Sequence, residues 1–96
     1  MSQPINDASP KFRLGQIVAT RGAIQTLAPE HIYLALCRHV SGDWGSLDES
    51  DREANENALQ NGERLFSVYY TEAGVKFYVI TEHDRSVTTV LLPDDY

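Results

Sequence analysis

An internal disulfide is excluded at once, because Cys37 is the only cysteine in the chain. One unpaired thiol and no secretory apolar segment point to a reducing compartment, the cytoplasm. No apolar run approaches the roughly 18–20 residues needed to cross a bilayer, so no membrane span is expected. Basic residues are scarce: 8 against 14 acids, a net charge of −6. That balance repels a phosphate backbone and makes direct nucleic-acid binding unfavourable. The three histidines lack metal-motif spacing, since His31 and His39 lie eight apart and His83 sits far along the chain. No cysteine accompanies Cys37 as a second thiolate ligand, so neither a metal nor another cofactor is expected. The glycines are scattered, with none placed between a strand and a helix as a phosphate loop needs. The strand–turn–helix serine of a hydrolase elbow is also missing.

What is present suits one small domain. Ninety-six residues with 42% apolar and 23% charged side chains are ordinary for a globular chain, with room for a single core. Residues 1–10 are polar, carry two prolines and are expected to form a flexible arm, leaving 11–96 as the domain. Lys11–Thr20 alternates weakly and is expected to be a short strand or an extended lead-in. Thr20 suits the N-cap of a short helix through Leu27, and Pro29 suits the first turn of a second one. Ile32, Leu36 and Cys37 recur at helical spacing, so Cys37 is expected to be buried. Gly42 follows the end of that helix. A turn-rich loop, Ser41 to Ser46, holds the only tryptophan, Trp44. Asp48 or Ser46 can cap a third, very polar helix that stops at Gly62.

From Arg64 the period changes to two. Leu65–Thr71, Val75–Thr81 and Val87–Leu92 are rich in Val, Ile, Tyr, Phe and Thr, with short turns at Glu72-Ala73-Gly74 and His83-Asp84-Arg85-Ser86. The expected class is α+β: N-terminal helices packed on a C-terminal three-stranded antiparallel meander.

Two groups of residues can be read as sites. Arg38 and His39 end a helix, while Arg85, Ser86, Thr88 and Thr89 lead into the last strand. A metal-independent endoribonuclease needs a base, cations for the scissile phosphate and hydroxyls to orient it. His39, the two arginines and the three hydroxyls supply those roles, and helices followed by an antiparallel sheet is the layout of compact toxin nucleases (the barnase, EndoU and RelE-like group). The bland alternatives are a helix-end histidine, a solvated arginine and ordinary strand threonines. The second group is acidic: Asp43, Asp48, Glu49, Asp51, Glu53 and Glu56 fall within fourteen residues. Such a run is either a solvated helix face or a patch that docks on a protein with a basic surface. Trp44 beside it either plugs the core or stands out as an interface anchor.

The stretch from Arg38 through His39, Val40, Ser41, Gly42, Asp43 and Trp44 to Gly45 has a distinct character, as do Ile80 to Thr89 and the Leu91-Leu92-Pro93 ending. From about Phe12 to Tyr96 the chain resembles a family of small, uncharacterised bacterial plasmid-related proteins of mobile elements, some of them labelled type I restriction–modification subunits. Ninety-six residues leave no room for a methyltransferase domain, and its glycine loop is absent. The family carries no assigned activity, but small acidic proteins of mobile elements often block host nucleases by occupying their basic grooves. Context and charge together therefore suggest an accessory or inhibitory protein that binds a protein partner, such as an inhibitor of restriction or another host defence. Asp43, Trp44, Asp48, Asp51 and Glu56 would then form the docking surface.

Overall fold

The computed structural model describes residues 9–96. Most of the arm expected over 1–10 therefore lies outside the described residues. The elements run β1 (Gln16–Ala19), α1 (Arg21–Thr26), α2 (Pro29–Val40), α3 (Glu49–Asn61), β2 (Leu65–Tyr70), β3 (Lys76–Thr81) and β4 (Val87–Leu91), followed by a 3₁₀ turn at Pro93–Asp95. Local chemistry accounts for most of these boundaries. The Thr20 hydroxyl accepts from the Ala23 N–H at 3.1 Å, capping α1. Pro29 opens α2, where its missing N–H costs nothing. The Asp48 carboxylate accepts from the Asp51 N–H at 2.8 Å and caps α3, which Gly62 ends in the left-handed conformation.

The chain is α+β, but its sheet has four strands in the order β1-β4-β3-β2. β2, β3 and β4 form an antiparallel meander. The three-stranded expectation is corrected by β1, which pairs in parallel with β4 from Gln16↔Val87 to Ala19↔Val90. The pairing gives β4 a neighbour on an edge it would otherwise expose. Gly15 permits it: its φ is +67, and a Cβ there would strike the Arg85 and Ser86 carbonyl oxygens.

Strand alternation divides the sheet into two faces. Tyr69, Phe77, Val79 and Val90 lie on one face and pack with Ala23, Leu27, Ala35 and Leu36 of the α1–α2 region. Trp44, Ala58 and Leu65 form a second cluster, with Phe12, Leu47 and Leu59 against it. On the other face the chain end returns, with the Tyr96 ring 5.9 Å from Phe66 and 6.0 Å from Tyr78.

The outer edge of β2 is covered. The Asn55 side chain of α3 donates to the Phe66 carbonyl at 2.7 Å and accepts from the Phe66 N–H at 3.1 Å, standing in for a strand residue. Beyond it, the Val68 N–H donates to the Trp44 carbonyl and the Ser46 N–H to the Val68 carbonyl. Cys37 is exposed, contrary to expectation. The inward stripe of α2 is Ala35, Leu36 and His39, which leaves Tyr33, Leu34 and Cys37 on the outer side. No described helix is long and apolar enough to cross a membrane.

Candidate functional site

His39 is fully buried. Its ring lies edge-on to Phe12 at 5.2 Å and to Trp44 at 5.7 Å. Nδ1 is 2.6 Å from Ser67 Oγ and Nε2 is 2.9 Å from Thr81 Oγ1. Thr81 Oγ1 in turn lies 2.7 Å from Thr88 Oγ1, which donates to the Leu14 carbonyl at 2.7 Å.

The last bond orders all the others. A carbonyl only accepts, so the Thr88 proton is committed to Leu14 and Thr81 must donate to Thr88. Thr81 Oγ1 then accepts from His39 Nε2–H, which leaves Nδ1 bare to accept from the Ser67 hydroxyl. His39 is therefore the neutral Nε2–H tautomer, with each ring nitrogen satisfied. A second ring proton would face Ser67 and force its hydroxyl to give up this bond in a buried site. Burial pushes the His39 pKa down to about 3, with the nearby Arg85 charge adding to the shift.

This arrangement removes the endoribonuclease base. A general base must come within about 3 Å of the proton it takes, and His39 is sealed by Trp44, Phe12 and the sheet. Most of the remaining residues of that set are also occupied. Arg38 donates to Asp43 at 2.7 Å, and its guanidinium carbon lies 4.6 Å from the centre of the Tyr69 ring. Arg85, at φ 61, donates to the carbonyls of Ala58, Glu63, Glu82 and His83, fastening the end of α3 to the β3–β4 turn. Ser86 donates to Asp84 at 2.6 Å. Thr89, paired with Ile80, falls on the sheet face opposite Thr88. The structure joins His39 to Thr88 through Thr81.

The acidic group divides by role. Trp44 is only 2% exposed and so plugs the core, with its indole N–H donating to Glu56 Oε2 at 2.8 Å. It is not an exposed anchor. The Asp43 carboxylate, held below its usual range chiefly by the Arg38 hydrogen bond, also accepts from the Gly45 N–H. Asp48 is the α3 cap. Glu49, Asp51 and Glu53 remain exposed along α3, and the salt bridges among the described residues, Arg38–Asp43 and Arg64–Glu82, include none of them. Arg52, the only cation of α3, donates to the Gly45 carbonyl at 3.1 Å.

Asp51 also borders a cleft of about 430 Å³ between α3 and the sheet, with Asn55, Arg64, Phe66, Lys76 and Tyr78. Among the described residues no three His, Cys, Asp or Glu side chains gather as a metal centre requires.

Ser67, Thr81 and Asn55 escaped the reading by sequence. The alternation carried a signal for the first two: Ser67 shares a face with Leu65 and Tyr69, and Thr81 pairs with Thr88. Three hydroxyls on a buried apolar face require a polar partner. No family model, curated protein or solved structure matches the chain significantly.

Proposed function

We propose that this chain is a non-catalytic accessory or inhibitory protein of a mobile genetic element, acting in the cytoplasm by docking on a protein with a basic surface. An inhibitor of restriction or of another host defence fits this description. The observation that carries the reading is the exposed acid of α3, where Glu49 and Glu53 stand on the outer side and Asp51 beside the cleft, all three outside the described salt bridges. The rest of the acidic stretch is committed to the scaffold: Asp48 caps the helix, Asp43 braces the loop and Glu56 holds Trp44. A polar helix clamped at Asn55, at Arg85 and by Trp44 is a rigid platform for charge. The sealed His39 supports binding over catalysis, and the lone exposed thiol of Cys37 supports a reducing compartment.

Charge complementarity of this kind acts mainly on the association rate. With the chain immobilised, capture of a bacterial partner is expected to weaken steeply between low and physiological salt. The triple variant Glu49→Lys, Asp51→Lys, Glu53→Lys is expected to associate roughly tenfold or more slowly, with a smaller change in dissociation. These three positions leave the fold contacts of Asp48 and Glu56 untouched. Capture that is indifferent to both salt and charge reversal contradicts the docking role.

A further inference from the structure

The two edges of the sheet are treated differently. At the β2 edge, Asn55 and the Trp44–Ser46 segment satisfy the outward groups of Phe66 and Val68. At the β1 edge no described strand or side chain does so. The Gln16 N–H donates to Ser86 and the Thr20 N–H to Val90, so even-numbered residues of β1 face β4 and the odd ones face away. The N–H and C=O of Ile17 and Ala19 therefore point outward, and no described hydrogen bond uses them. Within β1 there is no charge and no proline to protect this edge. Ile17 is 49% exposed and Val18 37%.

We propose that β1 is the interface of a two-fold dimer of this chain, in which two copies of β1 pair antiparallel about Val18. The outward groups are self-complementary about that residue. Ile17 of one copy faces Ala19 of the other and exchanges both N–H···O=C bonds with it, and the symmetric pair does the same. Between them the two Val18 residues form the non-hydrogen-bonded pair, whose own N–H and C=O stay on β4. An antiparallel ladder demands this alternation. A slip of one residue would aim groups already bound to β4 at the new neighbour. The two central side chains are apolar and identical, as a two-fold contact requires. Charge permits the pairing: α3 flanks β2, three strand spacings or about 14 Å from β1, beyond the screening length of about 8 Å. The dimer would carry the two α3 faces at opposite ends of one eight-stranded sheet.

Sedimentation equilibrium with amide hydrogen exchange tests this. The expected wild-type mass rises with concentration from 10.8 kDa toward twice that value. The Ile17 and Ala19 amides are expected to gain protection over the same range, while the Val18 amide is protected throughout. Val18→Lys places like charges opposite each other, with Cα atoms about 4.5 Å apart, and is expected to remain a folded monomer. Ile17→Pro removes an outward N–H and spares the β4 ladder, and it is expected to do the same. An unchanged urea midpoint in the monomeric range separates loss of dimer from loss of fold for both variants. The proposal is overturned by a wild-type mass that stays at 10.8 kDa up to about 1 mM. It is equally overturned by a dimer that survives both substitutions, or by protection at Ile17 and Ala19 only when a different protein is added.

Discussion

Gly45→Ala is expected to lower the unfolding free energy by about 3–5 kcal/mol, a large part of the roughly 5–15 kcal/mol available to a domain of this size. Gly45 sits at φ +78, where an L side chain is strained, and a Cβ there would run into the Val68 carbonyl oxygen and lie 2.8 Å from the Tyr69 ring. Left-handed strain alone costs about 1–2 kcal/mol. The contact adds more because the neighbours cannot withdraw. The Val68 carbonyl accepts from the Ser46 N–H, and the Tyr69 hydroxyl donates to the Asp43 carbonyl at 2.6 Å. Relief would lift the Trp44–Ser46 segment off β2 and withdraw Trp44 from the second core cluster. Urea unfolding should show a lower midpoint with little change in slope. A loss under about 1 kcal/mol would mean that this segment is not held against the strand as described.

His39→Ala is expected to cost a similar amount, about 3–5 kcal/mol, by two additive routes. It opens a cavity between Phe12, Trp44 and the sheet, and it leaves the buried Ser67 hydroxyl without its acceptor. The same residue sets a pH dependence. Its folded pKa of about 3 lies below the ordinary histidine value near 6.5, so the unfolded chain binds more protons between the two. The contribution is complete above about pH 6.5 and falls as the pH drops toward 3, by up to about 1.4 kcal/mol per unit. The alanine variant should be less stable at neutral pH and should show a shallower decline over that window. A variant whose decline matches the wild type would place the acid sensitivity elsewhere.

Much of the fold is legible residue by residue because it is local. Thr20, Pro29, Asp48 and Gly62 start and stop helices through contacts a few residues long, and the strands from Leu65 onward announce themselves by period and short turns. β1 is a different case. Its partner lies about seventy residues away, and a parallel pairing has no turn to mark it. Cys37 misleads because Ile32 to Cys37 is apolar on more than one side, so spacing alone does not choose the buried stripe. Ala35, Leu36 and His39 form that stripe, and His39 reads as a helix-end residue only while its i−4 neighbour Ala35 is ignored. The candidate site was legible only as a set of residue types. Histidine, arginine and threonine serve either catalysis or a buried hydrogen-bond chain, and only the directions of their side chains separate the two. The acidic run was visible in full, but its division into scaffold and free face depended on partners such as Trp44 Nε1 that no local pattern reveals.

His39 is a neutral core strut, bonded at both ring nitrogens and withdrawn from acid–base chemistry. Nitrogen-15 NMR of the histidine rings tests this directly. The expected result is a His39 ring carrying its proton on Nε2, with a slowly exchanging N–H and no titration from about pH 8 to about pH 5. A His39 ring that titrates near pH 6.5 with a rapidly exchanging proton would contradict it, because such a ring is in contact with water and free to act as a base.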